Sequence, residues 1–394
     1  MPTPPQTPRP ILPPATIGIL GGGQLGRMLG LAARGLGYGI AVLDPDPDCP
    51  TAGVADHVEV AAYEDVPAAE RLARGCAVVT YEFENVSAVT ARHLEDLLPT
   101  RPGSRPLAIT QDRIAERRFV AEAGARTAPW RPVDDGAALR RAVDDLGLPL
   151  RLKAATGGYD GRSQVRIATA ADIDTAFDRL GRPAGDAQVA EAELDFECEL
   201  SVVCARGPDG DFAAFPVTRN RHDDGILVES VAPAPVEHGV ALRATNVARQ
   251  LAEAMDLTGT LAVELFLMPD GDLVVNELAP RVHNSGHWTI EGAPTSQFEQ
   301  HVRAICGLPL GDTTPRATSA MVNLLGTGPR RPACPTGIEA ALGERHATVH
   351  LYGKRDVAQR RKMGHVTVVG EPDEEPDAVL ERARRAAAAV GWEA

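Results

Sequence analysis

At 394 residues the chain is too long for one simple core, so two or three domains are expected. A composition of 44% hydrophobic and 24% charged residues fits a folded globular protein, and a net charge of -14 argues against a general nucleic-acid or anionic-membrane binder. An anionic small-molecule substrate stays open, because a local basic cluster can override the global sign.

The start, MPTPPQTPRPILPP, has no apolar signal segment and reads as a disordered or extended tail over 1–14. TIGIL then reads as a strand, GGGQLGRM as a glycine turn into a helix, and IAVLD as a second strand ending at Asp44. CAVVTYEFENV (76–86) adds a further strand ending in acids, so 15–110 reads as a doubly wound, Rossmann-like parallel-sheet domain. Gly21, Gly23 and Gly26 match GxGxxG, and Asp44 stands where a dinucleotide's ribose acid would sit; a nicotinamide-dinucleotide site is therefore a live reading. The same loop suits any phosphate at a helix N-terminus. Glu82 and Glu84 share one face of a strand end, either as solvated acids or for recognising sugar hydroxyls.

A helix is predicted from Thr110, with Ile114, Phe119 and Val120 on its apolar stripe, opening a second domain over 111–190. PLRLKAATGGYDGRSQVRI (149–167) reads as strand, glycine-rich loop, strand, with Lys153 just before the loop. The glycines would admit a phosphate closely, although no GK[ST] follows; an ordinary hairpin tip is the alternative. A third region, 191–394, carries further strands, a helix near 242–257, a closing β-rich segment after residue 320 and a C-terminal helix.

TLAVELFLMPDGDLVVNEL (260–278) is an apolar run on each side of PDGD. Asp270-Gly271 predicts a two-residue type I′ turn. Counting outward, Met268 faces Leu273, Leu267 faces Val274, Phe266 faces Val275, and Glu264 faces Glu277. Two opposed carboxylates repel, so a cation between them is attractive, and magnesium with its oxygen ligands fits. The alternative is one Glu turned to solvent or paired with Arg281. NELAPRVHNSGHWTIEG (276–292) then gathers Arg281, His283, Asn284, His287 and Glu291, and RRKMGHV (360–366) with Lys354 forms a basic cluster that is either a solvated face or a phosphate cradle. Six cysteines (Cys49, Cys76, Cys198, Cys204, Cys306, Cys334) without a CxxC pair fit reduced thiols in the cytoplasm, and no apolar run approaches the ~20 residues of a membrane helix.

GGGQLGRM, YEFENV, TQDR, GGYDGRSQ, FECELSV, VELF, NELAPRVHNSGHWTIEGAPTSQFEQHVRAICGLPLG and YGK…RKMGH together resemble the ATP-grasp superfamily, and within it the N5-carboxyaminoimidazole ribonucleotide synthases. The resemblance covers about 16–370 and implies an ATP-grasp fold, mixing α/β and α+β, behind the Rossmann-like domain and closed by a C-terminal β-rich segment. It implies ATP contacts from Arg113, Lys153, Gly157, Gly158, Gly161, Gln164, Asn276 and Glu277. It also implies an adenine hinge at Glu191, Ala192, Glu193 and Leu194, a ribose contact at Glu199, and Mg²⁺ on Glu264 and Glu277. For the nucleotide substrate it implies Gln24, Leu25, Glu82, Tyr159, Asp160, Arg162, Lys354, Arg361 and Lys362. Lys153, Asp160, Arg281, His283 and Asn284 are the implied catalytic set, with Asp160 orienting or deprotonating the amine and GGYDG closing as a lid. His287 and Trp288 read as structural. The implied substrates are ATP, bicarbonate and 5-aminoimidazole ribonucleotide, joined through carboxyphosphate in a homodimer whose product passes to a mutase. Another ATP-grasp enzyme, such as a transformylase, and a non-catalytic nucleotide binder are the other readings; HNSGHW with RKMGH argues against the first, and the full set of catalytic residues against the second.

Overall fold

The structure, a computed structural model, describes residues 9–157, 163–182 and 185–393. Its N-terminal sheet has four parallel strands, ordered His57–Val60, Gly39–Asp44, Thr16–Leu20, Val78–Tyr81. Ile17, Ile19, Val42 and Val78 are fully buried between flanking helices, as expected where a parallel sheet is covered on both faces. Residues 9–14, irregular up to a turn at 13–14, are tied to the body: the Ile11 N–H donates to the Cys306 carbonyl at 2.8 Å, and the Tyr38 hydroxyl donates to the Ile11 carbonyl at 2.6 Å.

The predicted helix start at Thr110 is displaced. Thr110 ends the helix Ser104–Thr110, and the next helix, Arg113–Glu122, is capped by Asp112, whose carboxylate accepts from Ile114 N–H at 2.7 Å and Ala115 N–H at 3.3 Å. Aspartate satisfies two orphan donors there, which is why it outcompetes the threonine two positions earlier.

A second, antiparallel sheet is ordered Trp130–Val133, Gln188–Ala192, Leu150–Ala154, Gln164–Ile167. The third sheet dominates the molecule. Its strands run Leu273–Ala279, Gly259–Leu267, Cys198–Arg206, Thr218–Asp223, Ile226–Ala232, Ser319–Leu325, Lys362–Val369, Ala347–Leu351, with Phe212–Ala214 added beside Cys198–Arg206. The closing β-rich segment is thus no separate layer: Ser319–Leu325 pairs directly with Ile226–Ala232 and extends the same sheet. Helix His238–Ala254 packs on one part of it, and Pro376–Ala389 covers Ala320, Val366 and Val368.

Candidate active site

The acidic hairpin forms, but not by the predicted route. The Gly271 N–H donates to the Met268 carbonyl at 2.8 Å, and the Met268 N–H to the Asp272 carbonyl at 2.9 Å, closing a three-residue loop with Gly271 at φ 85°. This is the turn-plus-bulge hairpin, not type I′: proline is placed well in its first central position, and only glycine is comfortable at that φ. Leu267 consequently faces Leu273, Phe266 faces Val274 and Leu265 faces Val275, one residue off the predicted register. A β-bulge at Asn276 then restores it, and Glu264 faces Glu277.

The two carboxylates sit on a cavity of about 740 Å³ lined by the second and third sheets and, from the N-terminal domain, by Gln24, Leu25, Phe83, Glu84 and Asn85 beyond the ends of its strands. Burial pushes the Glu264 carboxyl up, and the facing Glu277 adds to the rise against the opposing pull of His222. Two acids held together in this way call for a cation. Among the described residues no group of three His, Cys, Asp or Glu forms an all-protein cage. A two-carboxylate site that leaves the remaining positions to phosphates and water is what magnesium accepts, so the residues fit that ion.

Above the hairpin lies a cationic arm. Arg113 Nη1 is 3.4 Å from Glu277 Oε2, and Lys153 is ion-paired with Glu191, which also takes the guanidinium of Arg117. Burial would raise Glu191, yet Lys153 and Arg117 hold it down at about 2. Its side chain therefore anchors Lys153 and does not face outward for a base. Burial pushes the neighbouring Glu116 up to about 7. Past the hinge, Phe196 and Phe266 stack at 4.4 Å between centroids and 11° between planes, presenting a flat apolar wall to the cavity beside Ala192 and Leu194. Glu193 is occupied by Arg151 at 2.9 Å and Arg166 at 2.7 Å.

His222, which the sequence reading did not single out, joins two of the acids. Its backbone N–H donates to Glu199 at 3.0 Å, its Nδ1 lies 2.7 Å from the same oxygen, and its Nε2 is 4.0 Å from Glu264. Glu199 and Glu264 raise its pKa although burial opposes them.

At the far end, Arg281, His283 and Asn284 line the cavity as expected. Arg281 is ion-paired to Glu84, which the sequence offers as a solvated acid or a sugar-hydroxyl contact and which the structure instead pairs with this cation. His283 Nδ1 accepts from the Ser285 N–H at 3.3 Å, so its proton sits on Nε2, 3.5 Å from Glu264 Oε1. Burial and the nearby Arg281 and Lys362 charges push its pKa well below the usual range, keeping it neutral. Asn284 and Asn323 exchange amide hydrogen bonds of 3.1 and 2.7 Å, so the Asn284 carboxamide is committed to that partner.

Of the other expected residues, Gln24, Leu25, Gln164, Asn276 and Lys362 also line the cavity. Gly157 borders a small adjoining cavity with Arg113 and Glu277. Glu82, Lys354 and Arg361 do not line the main cavity. Lys354 donates to the Lys362 carbonyl at 2.8 Å, and Arg361 donates to the Asp356 carbonyl at 2.6 Å. Gly158, Tyr159, Asp160, Gly161 and Arg162 lie outside the described residues.

Glu82 explains the glycine-rich turn. It accepts from the Gly23 N–H and, at 2.8 Å, the Gly26 N–H, while Gly22 N–H donates to Asp44 at 2.7 Å. Asp44 also accepts from Tyr63 Oη at 2.7 Å and Asp46 N–H at 2.8 Å. A Cβ on Gly23 would lie 2.5 Å from Glu82, so the glycine admits an internal carboxylate. The helix N-terminus and the ribose-acid position are both committed inside the protein, which removes the nicotinamide-dinucleotide reading.

Three family models match in sequence order: a ribonucleotide synthetase pre-ATP-grasp domain over 14–111, an ATP-grasp domain over 118–298, and a phosphoribosylaminoimidazole carboxylase C-terminal domain over 319–378. The chain is 44% identical to the N5-carboxyaminoimidazole ribonucleotide synthase of Brucella melitensis, covering 90% of this chain and 96% of that one. It belongs to the N5-carboxyaminoimidazole ribonucleotide synthase family of ATP-grasp enzymes. A crystal structure of an N5-carboxyaminoimidazole ribonucleotide synthetase in complex with ADP superposes with a TM-score of 0.89 at 42% identity, over 96% of this chain and 98% of that one. The Aspergillus clavatus enzyme, solved with ADP and 5-aminoimidazole ribonucleotide, has a TM-score of 0.86 at 31% identity, over 95% of this chain and 98% of that one.

Proposed function

We infer that the chain carboxylates the N5 amine of 5-aminoimidazole ribonucleotide with ATP and bicarbonate, giving N5-carboxyaminoimidazole ribonucleotide, ADP and phosphate in purine biosynthesis. The observation that carries this reading is one cavity shared by the opposed Glu264 and Glu277, the cations Arg113 and Lys153, and the Arg281–His283–Asn284 run.

In this reading ATP lies with its base against Phe196 and Phe266, its ribose toward Glu199 and His222, and its phosphates toward Arg113 and Lys153. Magnesium held by Glu264 and Glu277 would neutralise phosphate charge. Phosphoryl transfer asks a protein mainly for positioning and charge compensation, which fixed cations in a sheltered site supply. A bicarbonate oxygen attacks the γ-phosphorus as the bond to ADP breaks, yielding carboxyphosphate. Arg281 and neutral His283, both hydrogen-bond donors, bind the developing carboxylate and phosphate oxygens. The amine lone pair of the acceptor then forms the C–N bond, phosphate departs, and the amine gives up a proton; Asp160 is the candidate to orient or accept it. Gln24 and Leu25 from the N-terminal domain face the acceptor, with Lys362 across the cavity. Enclosure protects carboxyphosphate from water. By family resemblance the enzyme works as a cytoplasmic homodimer and passes its product to a mutase.

ADP release in bicarbonate buffer, with and without 5-aminoimidazole ribonucleotide, tests the assignment. Strong stimulation by that nucleotide is expected. No stimulation with ATP binding intact overturns it.

A further inference from the structure

Gln297, the first residue of helix Gln297–Cys306, is fully buried next to the histidine-bearing loop. Its carboxamide makes three hydrogen bonds, all to that loop. Oε1 accepts from the His283 N–H at 2.9 Å, while Nε2 donates to the His283 carbonyl at 2.7 Å and to His287 Nδ1 at 3.1 Å. One side chain thereby pairs with both polar groups of the His283 backbone, as a neighbouring strand would, and reaches the second histidine as well.

Two further features show that the arrangement is built. The amide plane lies on Gly286, where a Cβ would come 2.6 Å from Oε1 and 3.0 Å from Nε2. The Gln297 backbone N–H is itself held by Thr289 Oγ1 at 2.9 Å, and that hydroxyl donates to the Gly286 carbonyl at 2.6 Å. His287 accepts at Nδ1, so its neutral ring carries the proton on Nε2. His283 and His287 both line the cavity.

We propose that Gln297 is a positioning residue for carboxyl transfer: its carboxamide sets the backbone of His283 and the tautomer of His287, and so fixes which imidazole donors face the reacting groups. The proposal rests on the assignment of His283 to the bicarbonate and acceptor end of the cavity. It assigns Gln297 no contact with substrate. The adenine wall and the Arg113–Lys153 arm lie elsewhere in the cavity, so binding of ATP should be insensitive to it.

The test replaces Gln297 by methionine, which keeps the length and removes every side-chain hydrogen bond. In Gln297→Met, kcat for nucleotide-stimulated ADP release should fall at least tenfold, with KM for ATP within about threefold of the parent enzyme. Retained kcat, or kcat and the ATP KM worsening together, overturns the proposal. Nitrogen-15 NMR of histidine-labelled parent enzyme reads the tautomer without any dependence on how the variant folds. His287, assigned by the signal lost in His287→Gln, should show a protonated Nε2 and a bare Nδ1; the opposite tautomer overturns the proposal. Failure of the parent enzyme to respond to 5-aminoimidazole ribonucleotide would sink the activity reading instead, a result distinct from either of these.

Discussion

The Arg281 guanidinium donates to the Glu84 carboxylate across 197 positions of sequence, tying the mouth of the N-terminal sheet to the end of the acidic hairpin. Their side chains are 12% and 16% exposed. Burial alone would raise Glu84, but Arg281 holds it below the ordinary carboxylate range. The pair aims the cation assigned to bicarbonate from the domain assigned to the nucleotide acceptor. Glu84→Gln keeps the shape and removes the charge, so Arg281 should lose its orientation. Steady-state kinetics should show kcat down by roughly a hundredfold, the scale of a misplaced catalytic group, with a much smaller change in KM for ATP. Unchanged kcat would separate the pair from catalysis.

Glu191 holds Lys153 and Arg117 in a nearly dry cluster, with the Arg117 side chain 1% and the Glu191 side chain 4% exposed. Breaking a buried pair by removing one partner typically costs about 3–5 kcal/mol, because the other charge is stranded. Glu191→Gln should therefore lower the urea midpoint and raise KM for ATP at least tenfold through Lys153. A variant with normal ATP affinity would show that Lys153 needs no such anchor.

His301 joins the N-terminal domain to the large sheet. Its Nδ1 accepts from the Thr260 N–H at 3.1 Å, and its Nε2 lies 2.8 Å from Thr80 Oγ1. Burial pushes its pKa down to about 3, against 6.5 for the unfolded chain. The unfolded state thus binds the proton first as pH falls. Stability owed to this residue is full above pH 6.5 and is lost toward pH 3, by about 1.4 kcal/mol per pH unit. Urea unfolding between pH 7 and 5 should show a shallower pH slope in His301→Gln, by a difference that grows toward one proton as pH approaches 5; equal slopes would contradict the buried neutral ring.

Much of the site was legible because its chemistry is local in sequence. Lys153, the hinge and the run from Asn276 to Asn284 each sit in a short string. The Glu264–Glu277 pair was found by counting from Asp270-Gly271, yet the count succeeded because two departures cancelled: the turn holds three residues, and Asn276 bulges. Turn type follows from Pro269 at the first central position, which the dipeptide signal overrode. His222 was missed because TRNRHD has no apolar alternation and its partner Glu199 lies on a neighbouring strand, where Asn220 registers with Glu199. Glu84 and Asn323 were invisible as partners of Arg281 and Asn284 for the same reason: long-range pairing carries no periodicity. Asp44 and Glu82 were readable as acids near a glycine turn, but sequence could not say that they fill the turn themselves. The joining of Ser319–Leu325 to the central sheet likewise depends on a strand-to-strand contact that composition does not encode.

The central claim is that Glu264 and Glu277 share a divalent cation on the phosphates of ATP, and calorimetric titration with a non-hydrolysable ATP analogue, with and without magnesium, tests it most directly. Parent enzyme should bind the analogue at least tenfold more tightly with magnesium, and Glu264→Gln and Glu277→Gln should each lose most of that gain while keeping the metal-free affinity. A magnesium gain that survives in both variants would contradict the claim.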